Sequence, residues 1–112
     1  MKARIPQGAG GAGNMNQMMQ RMQKMQEEMT RAKAELEEKV YHVSAGGGNI
    51  EVEINGKKEV TAVTLKPEVV DPEDIEFLQD LIREGVNEAI RACNADAEQT
   101  IGAITGGLDL GL

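Results

Sequence analysis

The sequence predicts an α+β domain in which a long helix, a three-stranded antiparallel meander and a second long helix follow one another. Between Met15 and Leu36, apolar residues recur at alternating steps of three and four, as in a helix that packs through a narrow seam. Around residues 50–54, apolar and acidic residues alternate one by one, as in a half-buried strand. A broad apolar face with helical periodicity returns between Ile75 and Ala97.

Residues 1–13 are predicted to form a flexible, weakly basic arm before the first helix. Four glycines lie among small residues there, so the segment has too little apolar surface to order itself. Asn14 is a suitable helix cap, and Gln17 lies three residues on, at the spacing of a capping box. We therefore expect the first helix to begin at Asn14 and to run to about Lys39.

One side of this helix is a methionine seam. It occupies the a and d positions of a heptad repeat and comprises Met15, Met18, Met22, Met25, Met29, Ala32 and Leu36. A stripe this narrow buries nothing in an isolated helix, so it predicts coiled-coil packing against a helix of the same chain or of a second copy. Thioethers fill such a seam adaptably. A soft-metal site would want convergent Cys or His, which this helix lacks.

The middle of the chain is predicted to form three strands. The first begins at Val40 and includes the residues up to Ser44, the second has an inward face of alternating isoleucine and valine at 50–54, and the third is expected to turn Thr61, Val63 and Leu65 inward. Asn55-Gly56 predicts a type I′ hairpin, because that turn needs positive φ at both central residues. The glycines at 46–48 lack the Lys-Ser/Thr and helix of a phosphate-binding loop and are interpreted as a turn.

The second helix is expected to open at the segment Asp-Pro-Glu-Asp, residues 71–74, with a capping Asp71 and proline in the first turn. Its apolar face includes Cys93, which is interpreted as a buried, inert thiol. Acidic residues recur every four positions on the opposite face and are interpreted as a solvated ridge. The ordered domain is predicted to span residues 14–105 and to be followed by a flexible tail, 106–112.

Composition bounds the function. A single cysteine leaves no intramolecular disulfide and indicates the reducing cytoplasm. No apolar run is long enough for a membrane span, and the N-terminal segment lacks the apolar core of a signal peptide. His42, the only histidine, has no motif-placed serine or cysteine to pair with. We therefore expect that the protein is not an enzyme, that it binds no metal, cofactor or small-molecule substrate, and that it does not associate with membranes.

The net charge of −7 is unevenly distributed. Residues 1–40 contain seven Lys or Arg and five acidic residues, whereas residues 41–112 contain five and fourteen. The N-terminal part is therefore the one suited to a negative partner. Within it, Glu27 with Arg31 and Glu35 with Lys39 have the spacing of i, i+4 ion pairs, each expected to contribute about 0.3 kcal/mol.

Several segments together resemble the YbaB/EbfC family of bacterial nucleoid-associated DNA-binding proteins: MMQRMQKMQEEM, SAGGG, VEINGKKEV, DPEDIEFLQDLI, VNEAI and TGGL. The resemblance covers roughly residues 14–112. It implies a cytoplasmic homodimer whose sheets join between protomers and whose long helices project as tweezer-like arms around duplex DNA. It also implies association with the nucleoid and an effect on gene expression. Family members often carry lysines late in the second helix, where this chain has Asn94, Ala95, Gly102 and Ala103.

The candidate DNA-binding residues form a donor-rich stripe on the first helix, away from the methionine seam. The stripe consists of Gln17, Gln20, Arg21, Lys24 and Arg31. Such donors contact phosphates, and Arg or Gln also reach base edges. From spacing alone the stripe also fits an ordinary solvated helix face, and the family resemblance favours double-stranded DNA. With two aromatic residues in the chain, a stacking platform for single strands is not expected.

A prefoldin-like holdase or a protein-interaction adaptor is the alternative function. The helix, hairpin, helix order resembles holdase subunits, whose helices clasp unfolded clients but contain many more heptads than this chain. A methionine seam exposed in the assembled dimer would favour client binding. A basic stripe that is exposed and contiguous across protomers would favour DNA binding.

Overall fold

The computed structural model describes residues 4–109, with side chains over residues 14–106. The elements are, in order, α1 (Arg4–Glu38), β1 (Val40–Ala45), β2 (Ile50–Asn55), β3 (Val60–Leu65) and α2 (Ile75–Asp109). The strands form one antiparallel sheet in the order β1-β2-β3. The predicted α+β architecture is confirmed. Neither helix, over the described residues, is long and apolar enough to cross a membrane.

Both long helices exceed their predicted bounds. α1 begins at Arg4 rather than at Asn14, so the predicted start is corrected. Pro6 falls in the first turn, where its missing N–H is no loss, and glycines weaken a helix without blocking its geometry. α2 continues past Gly106 to Asp109. Residues 1–3 and 110–112 of the predicted arm and tail lie outside the described residues, and the flexibility of both segments stays a prediction.

The core lies between β2 and α2. Ile50, Val52 and Ile54 are fully buried, as the alternating pattern predicts. Facing them, α2 presents a row at every fourth residue: Leu81, Gly85, Ala89 and Cys93. At Gly85 the helix and sheet approach so closely that a Cβ would lie 2.7 Å from the Cδ1 of Ile50. The burial of Cys93 is therefore confirmed. The predicted apolar face of the second helix is buried along this row, whereas Ile75, Ile82 and Ile90 of the same face are exposed.

The third strand differs from its prediction, because α2 packs against β1 and β2. Every residue of β3 except Leu65 is exposed, including Val60 and Val63. The predicted inward face of this strand is therefore uncovered in the single chain. The far edge of β3 has no neighbouring strand within the described residues.

The connection between β2 and β3 is not the predicted type I′ turn. Gly56 does not have a positive φ; Lys58 does, at 66°. The N–H of Lys58 donates to the carbonyl of Asn55 at 3.0 Å, so the loop has three residues, the last of them left-handed. A Cβ at Gly56 would collide with the carbonyl oxygen of Leu36, and the N–H of Gly56 donates to Lys39 at 2.9 Å. The glycine therefore allows close contact with the end of α1 and does not serve a positive φ.

The cap of α2 is also corrected. The carboxylate of Asp74 accepts the N–H of Phe77 at 3.3 Å and is the N-cap. The carboxylate of Asp71 accepts a hydrogen bond from the N–H of Glu73 at 2.9 Å. The backbone carbonyl of Asp71 accepts one from the N–H of Asp74, also at 2.9 Å. The Asp-Pro-Glu-Asp segment therefore forms a turn before the helix, because its first aspartate bonds locally.

The methionine seam is covered along its C-terminal half only. Ala32 and Leu36 are buried and Met25 and Met29 half-buried, and the helix that contacts α1 is α2. Nearer the N-terminus the seam is exposed; Met15 is the most exposed, at 64%. The same chain therefore supplies the partner helix for one half of the seam and leaves the other half open.

Candidate nucleic-acid interface

The five predicted DNA-binding side chains all lie on α1 and are all exposed: Gln17, Gln20, Arg21, Lys24 and Arg31. At a rise of 1.5 Å per residue, the stripe is about 21 Å long. That length is about two thirds of a duplex turn of 34–36 Å. A straight helix in this position presents its donors to several successive phosphates.

Lys24 and Arg31 lie away from the methionine seam, whereas Arg21 flanks it, about 60° around the helix axis from Met18. At 100° per residue, Lys24 lies about 180° around the helix axis from Met15. Packing through the seam therefore leaves the stripe accessible. Lys24 and Arg31 therefore lie away from any apolar contact that α1 makes through the seam.

The cations of the stripe have no ionic partner among residues 14–106. No carboxylate lies within 4.0 Å of Arg21, Lys24 or Arg31. The predicted ion pair between Glu27 and Arg31 is therefore wrong. By contrast, both arginines of α2 are neutralised by carboxylates three residues before them: Arg83 by Asp80 at 3.3 Å and Arg91 by Glu88 at 2.8 Å.

The second predicted pair is wrong for a different reason, because Lys39 turns towards α2. Its ammonium lies 2.8 Å from the Oδ2 of Asp96, which also accepts the hydroxyl of Tyr41 at 2.7 Å. Bonds from Lys39 and Tyr41 hold the pKa of Asp96 below its usual value. The pKa of Tyr41 is raised, mainly by burial of its side chain and to a smaller extent by its hydrogen bond to Asp96. This cluster fixes the end of α1 and the start of β1 on α2, and so aims the arm that bears the stripe.

A groove separates the last turns of α1 from the β2–β3 hairpin. It has a volume of about 700 Å³, and its charged lining consists of Lys33, Lys57, Glu37, Glu38 and Glu59. Because carboxylates outnumber ammonium groups there, the groove does not favour phosphate. The stripe therefore does not extend across this groove to the hairpin.

The histidine offers no catalytic geometry. The side chain of His42 is 74% exposed on β1, and its Nε2 lies 3.6 Å from the Oε1 of Glu53. Over the described part of the chain, no group of three or more His, Cys, Asp or Glu residues is placed to hold a metal ion. The exposed donors of α1 are thus the chemically distinctive surface.

Comparison with known proteins identifies the family of this chain. A sequence model of the YbaB/EbfC DNA-binding family matches residues 11–108. A nucleoid-associated protein of Alkaliphilus metalliredigens is 53% identical over 84 residues, covering 75% of this chain and 74% of that protein. A nucleoid-associated protein of Ruminiclostridium cellulolyticum is 52% identical over 82 residues, covering 73% and 71%.

The crystal structure of an uncharacterized Helicobacter pylori protein shares the fold. The TM-score is 0.57 at 19% identity, and the match covers 70% of this chain and 90% of that one. The predicted resemblance is therefore confirmed at the level of both sequence and architecture. The chain belongs to the YbaB/EbfC DNA-binding family and is a DNA-binding, non-enzymatic protein.

Proposed function

We propose that this protein binds duplex DNA as a homodimer, largely without sequence preference, and that it acts at the bacterial nucleoid on chromosome organisation and gene expression. The observation that carries the proposal is the stripe on α1, where Arg21, Lys24 and Arg31 are exposed and have no carboxylate partner among the side chains of residues 14–106. The relatives described as nucleoid-associated proteins support the location.

Local charge supports DNA binding despite the acidic chain. No acidic residue precedes Glu27, so every charged side chain in the chain up to that point is basic. Phosphate binding gains free energy from the release of counterions at each neutralised phosphate, and this gain depends on cations close to the duplex. The acidic α2 weakens the overall attraction. We therefore expect modest affinity.

The lack of sequence preference follows from the kind of contact. Contacts to phosphates position a protein on DNA but carry no sequence information. Gln17 and Gln20 are the neutral donors of the stripe and are able to reach base edges. Two amides per arm give little discrimination compared with three phosphate-binding cations.

Dimerisation is supported by the uncovered surface of the single chain. β3 exposes Val60 and Val63 beside a strand edge that has no neighbour in the described part of the chain, and α2 exposes Phe77, Ile82 and Ile90 by 36–47%. Natural proteins rarely leave a flat apolar edge unpaired. A second copy that covers this surface by two-fold symmetry also doubles the cations available to DNA from three to six.

The holdase alternative has one observation in its favour and one against it. Met15, Met18 and Met22 are exposed in the single chain, as client binding requires. The C-terminal half of the seam is occupied by α2, however, and the matching family is a DNA-binding one. DNA binding therefore has the stronger support.

The test is a titration of two unrelated duplexes with the protein at several salt concentrations, followed by fluorescence anisotropy. With about six phosphate contacts, log K should fall with log salt at a slope of roughly −5. Replacing Arg21, Lys24 and Arg31 together by Gln should abolish most binding and flatten the slope, while the dimer persists.

The matched control replaces Lys57, Lys58 and Lys66 by Gln, which removes the same charge from exposed positions outside α1. This variant should retain most of the parent's affinity, because those lysines lie away from the stripe. Equal losses in the two variants would show that net charge matters and the stripe does not. A strong preference of the parent for one of the two duplexes would contradict nonspecific binding.

A further inference from the structure

Four methionines form the exposed sulfur surface of α1. Met15, Met18, Met19 and Met22 are 55–64% exposed, and their i, i+3, i+4, i+7 spacing places them on one side of the helix. We call them the methionine face. Further along the same helix Met25 and Met29 are half-buried, and Cys93 is only 2% exposed. Among the described sulfur atoms, an oxidant in solution therefore meets the methionine face first.

We propose that the methionine face is a reversible oxidation site for hydrogen peroxide, and that its oxidation weakens DNA binding; the second part rests on the proposed function. A lone pair of the thioether sulfur attacks one peroxide oxygen, so that an S–O bond forms as the O–O bond breaks. The departing hydroxide takes up the proton of the transferred oxygen and leaves as water. Methionine loses two electrons and the peroxide gains them. Methionine sulfoxide reductases reverse the change.

Oxidation changes the polarity of the face and leaves the charge of the protein unaltered. A sulfoxide is polar, and burying a polar group without a hydrogen-bond partner is unfavourable. The oxidised face therefore associates less well with any apolar surface. Lys24 and Arg31 lie on the opposite side of α1 and Arg21 at the flank of the face, and all three cations are chemically untouched.

The helix itself couples the two sides. Residues 14–24 of α1 include no buried or half-buried side chain, so their helical order rests on intrinsic propensity and on the apolar i, i+3 and i, i+4 contacts that the four methionines make with one another along the helix. A helix end without tertiary packing is marginally stable in water. When the face becomes polar, α1 frays and Gln17, Arg21 and Lys24 no longer form one line. Affinity for DNA then falls.

The site is tested first by mapping oxidation in the full-length protein. Trypsin separates the methionines, because cleavage after Lys24 and Arg31 releases Met25 and Met29 together, apart from the methionine face. After limited peroxide treatment, mass spectrometry should show the four exposed methionines oxidised at least about twofold faster than this internal reference. Equal or faster oxidation of Met25 and Met29 would overturn the proposal.

The functional part is tested with two variants of the methionine face. Replacing all four methionines by Leu keeps the face apolar and removes the oxidisable sulfur. The affinity of this variant for DNA should therefore resemble that of the parent and should not change after peroxide treatment. Replacing all four by Gln makes the face polar without oxidant, and affinity should fall about threefold or more, as in the oxidised parent. A Met25→Leu, Met29→Leu variant should remain peroxide-sensitive.

The outcomes separate the two proposals. Oxidised parent that binds duplex as tightly as the untreated protein would overturn the regulatory inference while leaving DNA binding intact. Untreated parent that binds no duplex would overturn the proposed function and the regulatory part with it. In that case the oxidation map and the loss of helical circular dichroism on oxidation still decide whether the methionine face is the sensitive site.

Discussion

Replacing Gly56 by Ala should destabilise the fold through contact with the backbone of α1. The new Cβ would collide with the carbonyl oxygen of Leu36 and would lie 2.8 Å from the Cα of Glu37. Because these obstacles are backbone atoms, no change of rotamer relieves them. The end of α1 and the hairpin must move apart, which also stretches the 2.9 Å hydrogen bond from Gly56 to Lys39.

The expected magnitude follows from three contributions. Overpacking of this kind costs about 1–3 kcal/mol, and the weakened hydrogen bond about 1 kcal/mol. The lower conformational entropy of the unfolded alanine chain offsets about 0.4–1 kcal/mol. The net loss of about 1–3.5 kcal/mol should lower the melting temperature by about 4–14 °C in a domain of this size.

The assay is thermal unfolding followed by circular dichroism, at one protein concentration for all variants. Gly102→Ala is the matched control, because Gly102 is exposed within α2 and a Cβ there meets nothing within 4 Å. That variant should be stabilised by about 0.5–1 kcal/mol, since Ala is the better helix former. If both substitutions shift the midpoint alike, the close approach of the hairpin to α1 does not determine the choice of glycine.

Three further predictions concern the hairpin, the Lys39 cluster and the assembly. Lys58→Gly should raise stability by about 0.5–1 kcal/mol, because it relieves a positive φ of 66°; an unchanged or lower denaturation midpoint would contradict this. The pKa of Asp96 is lowered in the folded protein. The stability that its carboxylate contributes is therefore present at pH values above the ordinary aspartate pKa of about 3.9 and is lost as the pH falls below that pKa. Asp96→Asn should lower the melting temperature at pH 7 but progressively less towards pH 3. Sedimentation equilibrium at micromolar concentration should give twice the 12.1 kDa chain mass, and a folded monomer would contradict the proposed dimer.

Local patterns predicted the elements because each depends on neighbouring residues. The period of the apolar residues changes from helical to strand-like after residue 40, and the helices and strands follow that change. The turn at Gly56 differs from the predicted type I′ turn for a physical reason. Glycine serves positive φ and close backbone approach alike, and only the position of α1 reveals which of the two applies. The start of α1 likewise differs from its prediction, because local composition favours a cap at Asn14.

The sequence by itself determined the α+β order, the buried face of β2, the burial of Cys93 and the placing of the five candidate DNA-binding residues on one helix. Only the tertiary structure decided which half of the methionine seam is covered, that β3 lies beyond α2, and that Lys39 pairs with Asp96 rather than with Glu35. Periodicity identifies the side of an element that is apolar, because it is a property of one segment. Which part of an apolar face is buried, and which charged side chains pair, depends on where a distant segment packs. Asp96, for example, is 57 residues from Lys39 in the sequence.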